Sequence, residues 1–262
     1  MSAPVVATLE RLLGDVESVG LDTLDERSAL QRRVDRKYVA DLEIAERLVG
    51  ALAGDYDALD IDGRRLFRYE SVYFDTPDLD CFNDQVADRK PRYKVRSRLY
   101  VDSDECSFEV KLKLEDASTA KEHGPCAPDS HGRLVPEARE FVGGTLREAG
   151  LEPPDRLDPV LITRFGRGTL AARDGSARVT FDVDLHLEEP GSGASARIHD
   201  GLVVIETKTS DGDGRADRLL HDAGLEDVSL SKYRAGVALL TAGRDADGER
   251  ARQRQSWFER ER

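Results

Sequence analysis

Basic residues recur at every second position in two neighbouring segments of the sequence. Residues 92–100 and 107–113 share this spacing, and the charged members are Arg92, Lys94, Arg96, Arg98, Glu109, Lys111 and Lys113. Because successive side chains of a β-strand point to opposite faces, each segment predicts one charged face and one apolar face. Arginine forks match phosphate oxygens in a bidentate way, and lysines add point charges. The spacing therefore indicates a site for a chain of phosphates.

The charged faces of all the predicted strands are selectively basic. Counted with Arg164, their basic residues are Arg33, Lys37, Arg92, Lys94, Arg96, Arg98, Lys111, Lys113, Arg164, Arg178 and Lys208. Their acidic residues are Asp35, Glu109, Asp182, Asp184 and Glu206. An ordinary amphipathic sheet with its charged face in water is the simpler interpretation. In a chain of net charge -13, such a face has no reason to be basic. The pattern favours a sheet closed into a barrel with its charges inward.

Cations enclosed in this way repel one another and are costly to remove from water. They require a polyanion to neutralise them, and the carboxylates among them could hold a divalent metal that bridges phosphate oxygens. We therefore predict an α+β fold, an antiparallel β-barrel tunnel with a charged lumen that is covered outside by helices.

The elements that must position these residues follow from periodicity and turn residues. Helices are predicted in residues 3–19, 41–54, 136–150, 215–223 and 231–241, with Asp41 as an N-cap. Strands are predicted in residues 33–40, 71–75, 92–100, 107–114, 160–165, 177–185 and 202–208. The predicted divisions are an N-terminal helical segment (1–29), a tunnel domain (30–241) and a charged tail (242–262). Trp257 and Phe258 are the only large apolar residues of that tail, which we expect to be solvated.

Composition excludes several classes of protein. The net charge of -13 argues against a general binder of nucleic acid or anionic membranes. The first residues lack the basic start and apolar run of a signal peptide, and no stretch approaches about 18 apolar residues. Cys81, Cys106 and Cys126 show no metal-binding spacing, so free thiols are expected. These features predict a cytoplasmic protein without a membrane segment, and they favour no oligomeric state.

An ordered set of short motifs resembles the VTC domain, the polyphosphate polymerase domain of the triphosphate tunnel metalloenzyme (CYTH-like) superfamily. Each motif alone is weak, but their order and spacing extend over roughly residues 30–240. The matching stretches are RVDRKY (33–38), SVYFDTPDL (71–79), RYKVRSRLY (92–100), FEVKLK (108–113), Thr119 with Lys121, ITRF (162–165), RVTFD (178–182), VIETK (204–208) and SKY (231–233).

The resemblance implies which residues bind. It assigns phosphate contacts to Lys37, Arg96, Arg98, Lys111, Lys121, Arg164, Arg178 and Lys232. Among these, the residues expected to act in catalysis are Arg96, Arg98, Lys111, Arg164 and Arg178. Lys94 and Lys208, on the charged strand faces, are expected to bind phosphate too. Glu206 would hold Mn²⁺ or Mg²⁺, with Glu109 and Asp182 as weaker candidates; Asp182 could instead pair with Arg178.

The activity implied is extension of an inorganic polyphosphate chain with the γ-phosphoryl group of ATP. Two alternatives stay open, a metal-dependent triphosphatase with water as acceptor and a non-catalytic polyphosphate sensor. The E-x-E-x-K signature of the superfamily's small triphosphatases is missing around residues 33–37, which favours the polymerase. No aromatic stacking platform beyond Tyr93 and Tyr100 interleaves the basic strands, so nucleic acid is not an expected partner.

Overall fold

The alternating segment at residues 92–100 forms a strand with the predicted bounds. In the computed structural model, residues 3–27, 34–116, 118–241 and 256–261 are described. The α-helices are α1 (Ala3–Gly14), α2 (Leu21–Arg27), α3 (Leu42–Leu52), α4 (Asp80–Val86), α5 (Pro136–Glu148), α6 (Arg215–Asp222) and α7 (Lys232–Leu240). A short 3-10 helix spans Pro128–Ser130.

Twelve strands alternate with these helices in the described part of the chain. They are β1 (Ser18–Val19), β2 (Val34–Asp41), β3 (Tyr56–Leu59), β4 (Leu66–Asp75), β5 (Arg92–Tyr100), β6 (Glu105–Lys113), β7 (Thr119–Cys126), β8 (Asp158–Ala172), β9 (Ala177–Glu188), β10 (Ser195–Ile198), β11 (Leu202–Thr209) and β12 (Phe258–Glu261). Each predicted helix and strand is present, although most of them have different bounds. The chain therefore has a mixed α+β fold with a large, mainly antiparallel sheet.

The chain divides into two compact units. Unit 1 comprises residues 1–68, 165–185 and 198–230. Its strands follow the order β2-β11-β9-β8-β3-β1, in which only the short β1–β3 pair is known to be parallel. One face of this sheet packs on α1, α3 and α6, because alternate apolar residues of β2, β9 and β11 meet the apolar stripes of these helices.

Unit 2 comprises residues 69–164, 186–197 and 231–262. Its strands follow the order β12-β10-β9-β8-β4-β5-β6-β7, and the β4–β5, β5–β6 and β6–β7 pairs are antiparallel. The apolar face of β4, β5 and β6 is covered by α5, whose Ala138, Val142 and Leu146 are buried against it. Among the described residues, neither strand order returns to its first strand, so closure into a barrel is not observed.

Among the strands that differ from the prediction, β8 and β7 differ for reasons that the structure explains. β8 continues seven residues beyond the predicted end at Phe165, although Gly166 and Gly168 suggest a break. Gly168 serves close packing instead, since a Cβ there would lie 2.3 Å from the side chain of Leu13 in α1. β7 was not predicted, because its sequence TAKEHGPC contains Gly, Pro and exposed polar residues, as an edge strand tolerates.

The prediction of three free thiols is wrong for Cys106 and Cys126. These residues are paired in register across β6 and β7, with their Cα atoms 5.0 Å apart, and they form a disulfide. Cys81 is a buried free cysteine. Sequence spacing could not reveal the bond, because the pairing depends on β7 and on its register. Disulfides persist mainly in oxidising compartments, and the cytoplasmic location stays a prediction.

The end of the chain is not a wholly solvated extension. Residues 258–261 form β12, which lies next to β10, and Phe258 is buried. Glu261 accepts hydrogen bonds from Ser195 and Arg197 contacts the same carboxylate at 3.0 Å. The first part of the predicted tail, residues 242–255, lies outside the described residues, as does Arg33. Within the described ranges, no helix is both long and apolar enough to cross a membrane.

Candidate phosphate-binding site

In unit 2, the strand register brings the predicted cations into adjacent rows on one face of β4–β7. One row runs across four strands and contains Tyr73, Arg96, Glu109 and His123. The next row contains three lysines, Lys94, Lys111 and Lys121. The grouping of Arg96 with Arg98 on one face is confirmed, since Arg98 lies opposite Ser71 and Ser107 in the row on the other side of Arg96. We call the face formed by these rows the β5–β7 cationic face.

Glu109 lies at the centre of the β5–β7 cationic face, and its side chain is only 2% exposed. Arg96 donates from Nε to Glu109 Oε2 at 2.8 Å and from a second guanidinium nitrogen to the same oxygen. Lys121 Nζ lies 3.0 Å from Oε2, and Arg98 Nε lies 3.7 Å from Oε1. Burial raises the pKa of Glu109, but Arg96, Arg98 and Lys121 outweigh burial and hold the pKa at about 2. One carboxylate therefore neutralises part of a three-cation group.

Lys121 carries its charge at a cost. Partial burial lowers its pKa, and the neighbouring charges of Arg96 and Arg98 add to this effect. Glu109 opposes both, and the resulting pKa is about 8. The ammonium group consequently titrates close to physiological pH, far below the ordinary range of a lysine. A bound polyanion would relieve the same repulsion.

Two aromatic residues support the β5–β7 cationic face from one side. Tyr73 accepts a hydrogen bond from Arg96 at 2.9 Å, and its ring stacks on Tyr233 with centroids 5.2 Å apart. Burial raises the pKa of the Tyr73 phenol, but Arg96, Arg98 and Lys232 outweigh it and lower the pKa overall. The charge of Lys232, the first residue of α7, therefore helps to lower the pKa of the Tyr73 phenol.

The buried Asp75 is hydrogen-bonded to the first turn of α7. Its carboxylate accepts backbone N–H groups of Thr76 and Cys81 at 2.8 and 2.9 Å, and it accepts a further hydrogen bond from the hydroxyl of Tyr233. Lys94 Nζ reaches Ser231 Oγ at 3.3 Å, at the N-cap of the same helix. Two motif residues, Asp75 and Tyr233, thus hold the helix that presents Lys232.

In unit 1, the register of β2, β11 and β9 forms a second charged face with a different composition. Lys37 is paired with Glu206, and Asp35 is paired with Lys208. Lys208 Nζ donates to Glu206 and lies 3.0 Å from Asp35 Oδ2, while Lys37 Nζ lies 3.7 Å from Glu206 Oε1. Burial raises the pKa of Glu206, but Lys37, Lys208 and Arg167 outweigh it and hold the pKa far below its ordinary value. We call this face the β2–β11 paired face.

Arg167 belongs to the β2–β11 paired face and was not predicted. Its Nε and Nη2 donate to the two oxygens of Asp182 at 2.6 and 2.8 Å, a bidentate ion pair with a carboxylate that is only 1% exposed. The sequence offered Arg178 as a partner of Asp182, whereas the structure pairs Asp182 with Arg167. The sequence signal for Arg167 is that it stands three residues after Arg164, in an R-x-x-R pattern. The predicted strand ends at Phe165, so the prediction does not include Arg167.

Arg178 and Arg164 have different surroundings. Arg178 lies opposite Lys208 in the β9–β11 register and contacts Asp25 of α2 at 3.5 Å. Arg164, by contrast, donates at 2.6 Å to Glu70 and to Glu188. Glu70 lies opposite Leu99, on the face of the sheet that packs on α5. Ile162, two residues before Arg164 and therefore on the same side of β8, packs into the apolar core of that face. The structure therefore places Arg164 with these acids and does not bring it together with Arg96 and Arg98.

The motif residues between the charged ones have a structural role. Tyr38 and Thr207 alternate with Lys37, Glu206 and Lys208, and their hydroxyls donate to Asp217 of α6 on the opposite face. Asp217 is fully buried and also accepts the backbone N–H of Gly214 at 3.0 Å. These bonds attach α6 to the sheet, and thereby fix the strand alternation that places the charges on the other face.

The carboxylates of the two charged faces do not by themselves form a site for a divalent metal. Within the described residues, no group of three or more His, Cys, Asp or Glu side chains could hold a metal ion. Each of the predicted metal ligands, Glu206, Glu109 and Asp182, is already engaged by basic side chains. Ca²⁺ and Mg²⁺ sites need several oxygen ligands that bind the metal together. Their assignment to Mn²⁺ or Mg²⁺ stays a prediction.

A comparison with protein-family models identifies the family of this chain. The family model of the VTC domain matches residues 32–241. The chain belongs to the VTC domain family. The matched range of this VTC domain contains every residue of the β5–β7 cationic face and of the β2–β11 paired face. No curated protein matches the chain.

Solved structures with detectable similarity are distant from this VTC domain. The PH1819 protein of Pyrococcus horikoshii OT3 is 14% identical over 74% of this chain and 88% of its own, with a TM-score of 0.37. A Vibrio parahaemolyticus protein titled "putative adenylate cyclase" is 14% identical over 77% of this chain and 95% of its own, with a TM-score of 0.42. At these values, the assignment to the family depends on the VTC match.

Proposed function

We propose that this VTC domain is a polyphosphate polymerase, which transfers the γ-phosphoryl group of ATP to the end of an inorganic polyphosphate chain. The observation that carries the proposal is the β5–β7 cationic face. Its row of three adjacent lysines lies beside two arginines that share the buried Glu109. Such an excess of cations is favourable only when a polyanion neutralises it. The tunnel-like barrel implied by the family resemblance belongs to the same proposal.

The reaction requires no nucleophile from the protein. A terminal oxygen of the polyphosphate chain forms a bond to the γ-phosphorus as the bond from that phosphorus to the β,γ-bridging oxygen breaks. ADP leaves with the bridging oxygen, and the chain is one phosphate longer. Catalysis of this kind depends on positioning the reactants and on stabilising the charge of the equatorial oxygens.

The cations have roles that follow from their geometry. Arg96 is held by Glu109 and Tyr73, so its planar group is oriented before any phosphate binds. Arg98 lies against the ring of Tyr69, with its guanidinium carbon 5.4 Å from the ring centroid. Oriented forks of this kind suit the transferred group, while the more flexible Lys94, Lys111 and Lys121 suit the polyanionic chain. Lys37, Lys208, Arg167, Arg178 and Lys232 would bind further phosphates.

The direct test is incubation of the purified protein with ATP and Mn²⁺ or Mg²⁺, followed by gel detection of polyphosphate and assays of ADP and free phosphate. We expect long polyphosphate and ADP without matching free phosphate. ADP with stoichiometric phosphate and no polymer would indicate a triphosphatase instead. Tight binding of polyphosphate without turnover would indicate a sensor. Either result would contradict the polymerase assignment.

Matched variants connect the assay to the β5–β7 cationic face. Arg96→Ala removes an oriented fork from that face, and we expect it to abolish most polymer formation. Arg164→Ala removes an arginine that donates to Glu70 and Glu188 on the other face of the sheet. We expect this control to retain its activity. Equal activities in the two variants would mean that the β5–β7 cationic face does not bind the substrate.

A further inference from the structure

A lysine occupies the position between the two carboxylates of the β2–β11 paired face. Lys208 Nζ donates to Glu206 and lies 3.0 Å from Asp35, so two carboxylates share one ammonium group. The side chains of Lys208 and Glu206 are 15% and 14% exposed. This arrangement follows from the sheet itself, because Lys208 is in register with Asp35 and is two residues from Glu206 on the same strand.

Other cations surround the same carboxylate. Lys37 Nζ lies 3.7 Å from Glu206, and Arg167 contributes to lowering the pKa of Glu206 while it binds Asp182. A divalent cation that approached Glu206 alone would have to displace one ammonium group. It would then be repelled by the other neighbouring cations at short range. Free Mn²⁺ or Mg²⁺ should therefore bind this face only weakly.

A phosphate chain reverses this balance. Its oxygens attract Lys37 and Lys208, and they bring several anionic ligands of the kind that Mg²⁺ prefers. With those ammonium groups engaged by phosphate, Glu206 can contribute one further oxygen to a cation that the phosphates already hold. From this geometry we infer that the divalent cation enters the protein only as its complex with the phosphate chain, and that Lys208 is the resident cation of the site beforehand. The inference rests on the proposed function.

Equilibrium dialysis tests this order directly, because it measures each component that the protein retains. Protein is dialysed against Mn²⁺ alone, tripolyphosphate alone, and both together, and manganese and phosphorus are measured on each side. We expect no retention of Mn²⁺ alone at up to about tenfold molar excess over protein. Tripolyphosphate should be retained in both of its arms, and Mn²⁺ should be retained in step with it when both are present.

The outcomes separate the inference from the proposed function. Stoichiometric retention of Mn²⁺ without phosphate overturns the inference and leaves the proposed function standing. Retention of tripolyphosphate without any accompanying Mn²⁺ also overturns the inference. Failure to retain tripolyphosphate in either arm overturns the proposed function, and the inference with it.

A variant of the resident cation gives an independent readout. Lys208→Met releases Glu206 and Asp35 from their shared ammonium group, so retention of Mn²⁺ without phosphate should rise roughly tenfold or more. Lys111→Met is the matched control, since Lys111 is in register with two other lysines and should gain no Mn²⁺ affinity. If Lys208→Met does not fold, Lys208→Gln serves for the same comparison. A folded Lys208 variant that gains no affinity overturns the inference.

Discussion

The two charged faces use the same residue types in different proportions. On the β5–β7 cationic face, the buried Glu109 is shared by Arg96, Arg98 and Lys121, and a further row of lysines lies beside it. On the β2–β11 paired face, three carboxylates alternate with the cations: Asp35 and Glu206 bind Lys208, and Asp182 binds Arg167. The first face has an excess of positive charge, whereas the second is nearly balanced before any ligand binds.

This difference predicts how each face responds to a polyanion. The unbalanced face is stable without ligand only because Glu109 offsets part of the repulsion, so it has most to gain from phosphate. The balanced face must first exchange its internal ion pairs, and its net gain is smaller. A polyanion should therefore stabilise the face of unit 2 more than the face of unit 1.

The largest expected effect comes from removing the shared carboxylate. Glu109→Gln leaves Arg96, Arg98 and Lys121 without their buried counterion, so the free energy of unfolding should fall by about 3–5 kcal/mol. Urea unfolding measures this loss. Glu206→Gln is the matched change on the other face. It should cost less, on the order of 1–2 kcal/mol, because Asp35 still neutralises Lys208.

Tripolyphosphate sharpens the same comparison. It should restore more stability to Glu109→Gln than to Glu206→Gln, because the polyanion replaces the missing charge and binds only the folded state. Equal losses in the two variants, or equal recovery with tripolyphosphate, would show that the two faces are not different in the way described.

An intermediate effect is expected from Arg96→Ala on tripolyphosphate affinity. The variant removes a charge-assisted, oriented contact, which corresponds to a loss of roughly 1.5–3 kcal/mol of binding free energy. Arg164→Ala should leave the affinity unchanged, since Arg164 binds Glu70 and Glu188 on the other face. Calorimetric titration of both variants checks the result. A weakened Arg164→Ala together with an unaffected Arg96→Ala would reverse the assignment of faces.

The smallest effect is a pH dependence from Lys121. Its pKa of about 8 lies below the ordinary lysine value, and bound phosphate would raise it, so binding takes up a proton above pH 8. Tripolyphosphate affinity should therefore fall as pH rises through 8, by at most about tenfold per pH unit. Comparison with Lys121→Arg cancels the titration of the phosphate itself. Parallel pH profiles for the two proteins would exclude Lys121 as the titrating group.

The same lowered pKa affects stability in the opposite direction. Between pH 8 and the ordinary pKa of lysine, the unfolded chain binds the Lys121 proton and the folded chain does not. The free energy of unfolding should therefore rise with pH across that window, by the sign of the linkage relation. Glu109 has the same sign in a lower window, because its pKa is lowered too: its stabilising effect is fully present above its ordinary pKa of 4.5 and is lost as pH falls towards about 2.

Local patterns in the sequence were sufficient for much of the fold. The alternation in residues 92–100 predicted both the bounds of β5 and its charged face, because a strand's side-chain period is 2 wherever the chain is extended. The apolar stripes of α3 and α5 were visible for the same reason, at the helical period. β7 could not be predicted in this way, since an exposed edge strand needs no apolar alternation.

Long-range pairing explains what the sequence left undetermined in the site. Arg167 was missed because the glycines on either side of it suggested a break, while the structure uses Gly168 for the close approach of α1. Arg164 fitted a motif, but the apolar segment around it does not reveal which face it occupies. Its position is decided by the acids that the neighbouring strands provide, Glu70 and Glu188.

The sequence by itself determined which residues share a face, because alternation along a strand is a local property. The family motifs and the selective basicity of those faces were also present in the sequence. Only the tertiary structure decided which partner each charge has: Glu109 with three cations, Lys208 between two carboxylates, Asp182 with Arg167, and Cys106 with Cys126. Those pairings depend on the register between strands distant in sequence, and a shift of one residue would exchange every partner.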